Sequence, residues 1–148
     1  MNHHLVILKR PYLEAILAGG KTLELRLTRA RRPMRGRVCP RDRLLLKASG
    51  GMVRALATVE AVEHYEDLTP ERIFEIRRRY GNRIGGDDTV WTRMMDCRSG
   101  FLVRLADVRP IEPIRIDKKD SRAWVLLKEG RDFGLLGRIR ENGLTGEP

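Results

Sequence analysis

The sequence is poor in the residues from which metal sites and disulfide frameworks are built. It holds two cysteines, Cys39 and Cys97, and three histidines in 148 residues. The cysteines form no CxxC pair and have no histidine at zinc-ligand spacing, so free thiols in a reducing compartment are the simpler interpretation. His3 and His4 are adjacent near the terminus, and His64 stands alone. We therefore expect no metal and no cofactor.

Long apolar runs are also missing. No stretch approaches the roughly 18 consecutive apolar residues of a membrane-spanning helix. The amino-terminal segment MNHHLVILKR has only a short apolar run, without a small-residue cleavage site. The sequence thus predicts no membrane partner and a cytoplasmic location. With 148 residues, 41% of them hydrophobic, the chain is of a size to form one domain around a single core.

Acidic residues are scarce in the first third of the chain. Residues 1–50 hold 12 Lys and Arg against 3 Asp and Glu, so this third carries nearly all of the net charge of +10. Such density suits a polyanion, because each Lys or Arg that contacts a phosphate releases counterions. An arginine-rich composition with a solvated loop is the alternative. Seven arginines fall within 15 residues, opposed only by Asp42: Arg29, Arg31, Arg32, Arg35, Arg37, Arg41 and Arg43.

The periodicity of the first 28 residues predicts a strand, a helix and a second strand. HLVILK is typical of a short buried strand. Pro11 favours the start of a helix, whose apolar stripe ends at Gly19 and Gly20. Leucines then alternate with polar residues in TLELRLT, the period of a half-buried strand. This alternation places Glu24 and Arg26 together on the face opposite the leucines.

The rest of the pattern indicates an α+β fold. A hairpin is predicted where ASGG joins RLLLK to VRALATVEAV, and a helix is predicted from the N-cap Thr69 to Gly81 or Asn82. A short helix around residues 90–95, a long strand FLVRLADVRPIEPIRI and a terminal helix in SRAWVLLKEG follow. Hairpins and non-alternating helices favour a small, mainly antiparallel β-barrel, closed or nearly closed and flanked by helices.

The segment GGKTLELR, residues 19–26, concentrates charge at the entry to the second strand. Lys21 lies at the junction, and Glu24 and Arg26 share one face. Lys21 or Arg26 could bind an anion while Glu24 accepts a hydrogen bond from a base amine. The same residues could instead form an internal ion pair. Spacing alone leaves both interpretations open.

The pattern G-x-K-x-x-E-x-R, met by Gly19, Lys21, Glu24 and Arg26, resembles the signature of the ASCH domain family, relatives of the PUA-like barrels. The order of elements extends the resemblance over roughly residues 4 to 116. It implies an ASCH/PUA-like domain at residues 1–116, with residues 117–148 as an extension packed on or trailing from the same domain. It also implies a PUA-like barrel with a cleft beside the first helix, lined by the GxKxxExR motif.

The resemblance further implies a function in binding RNA or a nucleotide derivative. Lys21 and Glu24 are then the candidate catalytic residues. The candidate ligand-binding residues are Thr22 and Arg26 in the strand, and the arginines of the basic segment: Arg29, Arg31, Arg32 and Arg35.

Some members of the family resemble hydrolases. One group removes the acetyl group from N4-acetylcytidine with a lysine, a threonine and a glutamate, and ribonuclease activity is also attributed to the family. Lys21 matches the lysine, whereas Glu24 stands where the threonine would fall, with Thr22 nearby. Glu75 is a loose candidate for the downstream glutamate.

Three hypotheses follow from the sequence. The first is a binding module for RNA or a nucleotide, with a polar cleft and an adjacent arginine-rich segment that contacts phosphates. The second is a hydrolase acting on RNA or on a modified nucleoside. The third is a domain for protein contacts in which Glu24 and Arg26 pair with each other.

Overall fold

The computed structural model describes residues 1–31 and 37–141. Six strands and four helices follow one another, with a short 3-10 turn at Asp132–Gly134 before the last helix. The strands are β1 (His3–Leu8), β2 (Leu23–Thr28), β3 (Arg43–Ala48), β4 (Val53–Tyr65), β5 (Ser99–Ile114) and β6 (Trp124–Leu126). The helices are α1 (Arg10–Leu17), α2 (Pro70–Ile84), α3 (Asp88–Met94) and α4 (Leu135–Glu141). None of the helices in the described ranges is long and apolar enough to cross a membrane.

The strands form one curled sheet in the order β2-β5-β4-β3-β1-β6. The β1–β3 pair is parallel, and the other four pairs are antiparallel. The sheet curls into a half-barrel with helices around it, so the predicted α+β architecture of a mainly antiparallel, curled sheet flanked by helices is confirmed. β2 pairs with β5 only as far as Arg104, so Pro110 and Pro113 lie where β5 has no strand on that side.

Three apolar clusters cover both faces of the sheet. The inner face of the half-barrel is filled by alternate residues of β1, β3, β4 and β5, together with Leu13 and Ile16 of α1. On the outer face, α2 and α3 cover β2, with Trp91 of α3 buried at 1% exposure. At the other end of the sheet, α4 covers β1 and β3 through Leu135 and Ile139.

The starts and ends of the first two helices follow local chemistry. Thr69 caps α2 by accepting a hydrogen bond from the Arg72 N–H, and Pro70 opens the helix, as predicted. α2 continues beyond the predicted end to Ile84, because Gly85 rather than Gly81 takes the positive φ, at 87°. α1 is followed by Gly19, also at φ 87°.

The predicted terminal helix in SRAWVLLKEG is wrong. Trp124–Leu126 forms β6, which pairs antiparallel with β1. A short apolar run fits a helix or a strand equally well by periodicity, and the open edge of β1 decides in favour of the strand. Helix resumes only in α4, whose buried leucines and isoleucine pack on the outer face of the sheet.

Candidate functional site

The charged residues of the GxKxxExR motif lie on the inner face of the half-barrel. In the β2–β5 ladder, Glu24 is opposite Val103 and Arg26 is opposite Phe101, and both partners belong to the inner apolar cluster. The intervening Leu25 belongs to the outer cluster under α2 and α3. The alternation predicted for this strand is therefore observed, and its polar face is enclosed as well as its leucine face.

Lys21 is a buried cation with three acceptors. Its Nζ donates to the carbonyl of Leu23 at 2.7 Å and to the carbonyl of Ile84, and lies 3.4 Å from Glu24 Oε1. Ile84 is the last residue of α2, so the ammonium satisfies a carbonyl that the helix leaves unpaired, at the negative end of its dipole. Burial lowers the pKa of Lys21 below its ordinary 10.5, while Glu24 acts against that shift.

Arg26 joins the two edges of the curled sheet. Its Nη2 donates to the carbonyl of Ile7 in β1 at 2.8 Å and to Glu24 Oε2 at 3.2 Å. Its Nη1 donates to the carbonyl of Ala123, just before β6, at 3.4 Å. A guanidinium therefore spans the gap between β2 and the β1–β6 edge, where no ladder of backbone hydrogen bonds closes the barrel.

Trp124 is the aromatic partner of Arg26. The guanidinium carbon lies 5.5 Å from the centre of the indole, and Phe101 packs edge-on against the same ring at 4.9 Å. The indole Nε1 donates to His4 Nδ1 at 3.0 Å. An indole nitrogen only donates, so His4 carries its proton on Nε2 and donates it to Asp42 Oδ2 at 2.8 Å.

Asp42 anchors the far end of this chain of contacts. Besides His4, it accepts hydrogen bonds from the backbone N–H groups of Asn2 and Cys39, each at 2.9 Å. Burial acts to raise the pKa of Asp42, but these three hydrogen bonds outweigh it and hold the pKa below its ordinary 3.8. The carboxylate thus stays ionised and fixes His4, which in turn fixes Trp124.

A cavity of about 400 Å³ opens between the two sheet edges. We call it the edge cavity; its lining residues are Arg26, Leu27, Thr28, Gly100, Arg122, Ala123 and Trp124. Of the predicted site residues that the structure describes, only Arg26 lines it. Lys21 and Glu24 are 5% and 8% exposed and do not line the cavity. Glu24 contacts Arg26 directly, and Lys21 contacts Glu24.

The remaining predicted site residues are dispersed. The backbone of Thr22 bonds to Arg83 and Leu105, and its hydroxyl bonds to no residue of the described ranges. Arg29 is exposed and pairs with Asp96 at 3.1 Å. Arg31 is exposed, and Arg32 and Arg35 lie outside the described residues.

The loose candidate Glu75 does not join the motif. It lies on the exposed side of α2, where its carboxylate bonds the guanidinium of Arg78 one turn later. That hydrogen bond is the main reason why the pKa of Glu75 is lowered. Within residues 1–31 and 37–141, no three His, Cys, Asp or Glu side chains cluster in a way that could hold a metal ion.

Sequence reasoning missed Trp124, Arg122 and His4 as parts of this site. Trp124 and Arg122 come from the segment assigned to a helix, and β6 instead brings them to the edge opposite β2. His4 begins the strand predicted in HLVILK and is fully buried, so the apolar run after it was the signal that could have placed it in the core. Trp91, by contrast, is in the core under α3 and is closed to a stacking ligand.

The comparisons with known proteins bear on the fold. No protein-family model and no curated protein matches the chain. Among solved structures, ASCH from Zymomonas mobilis aligns with a TM-score of 0.69 at 18% identity, over 92% of this chain and 94% of that one. A point mutant of the same protein aligns with a TM-score of 0.70 at 19% identity, over 95% and 96%. The predicted resemblance to ASCH domain proteins is thus confirmed as a similarity of fold.

Proposed function

We propose that this protein is an RNA- or nucleotide-binding module of the ASCH type whose ligand enters the edge cavity. The observation that carries the proposal is the pairing of Arg26 and Trp124 in the wall of one cavity. An aromatic face stacks on an unpaired base, and a guanidinium binds phosphate or base oxygens, which is the usual chemistry of single-strand recognition. The ASCH fold supports the same class of ligand.

Arg26 retains donors for a ligand. Its contacts with Ile7, Glu24 and Ala123 use three of the five N–H groups of the guanidinium. The Nε–H and one Nη1–H have no acceptor among the described residues. In this proposal Lys21 and Glu24 position Arg26, so they are positioning residues for binding rather than ligand contacts.

The basic segment extends the proposed surface. Arg29 and Arg31 follow β2 directly, and with Arg32 and Arg35 they would contact phosphates, while the edge cavity reads the base. Arg122 and Trp124 belong to the proposed extension at residues 117–148, so on this proposal that extension and the domain at residues 1–116 build the site together. The free thiols of Cys39 and Cys97 support a cytoplasmic setting.

Binding of a fluorescein-labelled single-stranded RNA, followed by anisotropy at several salt concentrations, tests this function. We expect Trp124→Leu to weaken binding about tenfold or more, because stacking of one base contributes roughly 1–3 kcal/mol. The double variant Arg31→Ala, Arg32→Ala should weaken all RNA sequences alike and flatten the dependence of log K on log salt. Arg72→Ala, which removes an exposed arginine at the start of α2, is the matched control. Equal affinity of all variants would refute the proposal.

A hydrolase acting on RNA or on N4-acetylcytidine is the second candidate. The lowered pKa of the buried Lys21, beside Glu24, is the observation that favours it, since a lysine base needs such a shift. Incubation with each substrate and chromatography of the products tests it. Lys21→Arg keeps the positive charge but removes the weak base. Product formed by the wild type and absent from a folded Lys21→Arg variant would support the hydrolase, whereas equal turnover would remove Lys21 from the mechanism.

A further inference from the structure

A second and larger cavity lies at the β3–β4 hairpin, away from the GxKxxExR motif. Its volume is about 620 Å³, and none of the predicted site residues within the described ranges lines it. We call it the hairpin cavity. The start of α1, the hairpin at residues 47–54 and the segment after β5 surround it. Five of its lining side chains are basic: Arg10, Lys47, Arg54, Arg115 and Lys118.

The acidic groups of the hairpin cavity leave much of this charge unopposed. The lining holds two carboxylates, Glu14 and Asp117. Glu14 pairs with Arg54 at 2.6 Å, and Asp117 is exposed and faces Lys119, outside the cavity, at 3.7 Å. Neither makes an ion pair with the other lining cations.

Three cations of the cavity have no acidic partner among the described residues. Lys118 is neutralised by Asp120, whose carboxylate lies 2.9 Å from its Nζ. Arg10, Lys47 and Arg115 make no ion pair with any residue of the described ranges. The hairpin cavity is therefore a concave surface with an excess of positive charge, which concentrates anions.

Lys47 is the residue that marks this cavity as a built site. It is only 6% exposed, yet its ammonium makes a single hydrogen bond, to the carbonyl of Ala48 at 3.1 Å. Two of its three donors have no acceptor in the described residues. Burial and the neighbouring Lys118 both lower the pKa of Lys47. A buried, under-satisfied cation is costly, so its place on the wall of a cavity calls for an anion.

We propose that the hairpin cavity binds a phosphate group through Lys47, with Arg10 and Arg115 as the outer contacts. A phosphate offers several strong acceptor oxygens and more than one negative charge, which matches the unused donors of Lys47 and the two unpaired guanidinium groups. The phosphate is free or carried by a nucleotide or RNA. The site goes beyond the proposed function, because it shares no residue with the edge cavity.

Calorimetric titration of the full chain with inorganic pyrophosphate tests the site. We expect Lys47→Met to weaken pyrophosphate binding about tenfold or more, since hydrogen bonds to charged groups are strong. Lys119→Met is the matched control: it also removes one lysine charge, but Lys119 is exposed and does not line the cavity. It should change the affinity less than about twofold, as a screened surface charge does.

A second titration with a short single-stranded RNA identifies the source of the phosphate. If Lys47→Met weakens RNA but the wild type binds no pyrophosphate, the site takes backbone phosphates. If Lys47→Met weakens the binding of pyrophosphate but not of RNA, the site takes a free phosphate or a nucleotide. The proposal is overturned if the wild type and Lys47→Met bind the anion with equal affinity. It is also overturned if Lys119→Met loses as much affinity as Lys47→Met. Trp124 lines the edge cavity and not the hairpin cavity, so Trp124→Leu tests the edge-cavity proposal independently of this one.

Discussion

Lys21 meets its acceptors at the junction of α2 and β2. The Ile84 carbonyl belongs to the last residue of α2, and the Leu23 carbonyl belongs to the first residue of β2. Glu24 connects the ammonium to Arg26. The sequence spacing of the motif places Glu24 and Arg26 on one face of β2. The spacing carries no information about α2, whose last residue, Ile84, is 63 positions from Lys21 in the sequence. The tertiary position of Lys21 was therefore beyond prediction from local pattern.

Replacement of Lys21 should destabilise the whole domain. In Lys21→Met the Ile84 carbonyl loses its donor and Glu24 remains buried with one fewer cation. We expect the free energy of unfolding to fall by about 3 kcal/mol, the usual cost of breaking a buried ion pair. Urea denaturation followed by circular dichroism measures it. Lys119→Met, at an exposed position, should change it by less than about 0.5 kcal/mol. Equal midpoints would contradict the capping role.

The conformation of Gly100 ties β2 to β5 at the scale of elements. Gly100 has φ 156° and is opposite Leu27 in the ladder. A Cβ built on it would lie 2.0 Å from the Arg26 carbonyl oxygen and 2.9 Å from Leu27 Cα. Both are backbone atoms, so neither can move without displacing β2. The close approach of the two strands at Arg26 therefore requires a glycine.

Gly100→Ala should accordingly disrupt the β2–β5 pairing. We expect a loss of stability above about 3 kcal/mol, at the upper end of single substitutions, because the clash involves backbone. Gly137→Ala is the matched control in α4: nothing lies within 4 Å of its added Cβ, so a helical alanine should raise stability by roughly 0.5–1 kcal/mol. Thermal unfolding of both variants measures the difference. Similar melting temperatures would show that β2 can move away.

The elements that could be predicted are those whose bounds depend on residues close to them in the sequence. The N-cap Thr69 with Pro70 fixes the start of α2, and the alternation in TLELRLT fixes β2. The segment at Trp124 was predicted as a helix, and the period of its short apolar run does not distinguish a helix from a strand. Its strand conformation comes from hydrogen bonds to β1, made by residues more than a hundred positions earlier. The edge cavity could not be predicted for the same reason, because three of its seven lining residues come from that segment.

Protonation of histidines sets the expected pH dependence of the whole molecule. Burial is the largest cause of the lowered pKa of both His3 and His64, and the nearest arginines, Arg43 and Arg37, add to it. Below pH 6.5 the unfolded chain therefore binds more protons than the folded one, and the free energy of unfolding decreases as the pH is lowered. Asp42 has a lowered pKa, so it adds a further loss below pH 3.8, as the pH falls through its folded value.

Urea denaturation at a series of pH values checks this expectation. The free energy of unfolding should fall as the pH decreases from 6.5 until the native pKa values of the two histidines are reached. The double variant His3→Gln, His64→Gln should be nearly flat over that interval while keeping the loss below pH 3.8. A wild type whose stability is constant between pH 5 and 7 would show that neither histidine resists protonation in the fold.

The position of β1 between β3 and β6 has a consequence for synthesis on the ribosome. β1 emerges well before β6, because Trp124 reaches His4 across a separation of 120 residues. At roughly 5–20 residues per second, the outer edge of β1 waits on the order of 6–24 s for its partner. During that time the backbone groups on the outer edge of β1 are open to pairing with other nascent chains. The outer edge of β1 therefore closes only after β6 has been synthesised.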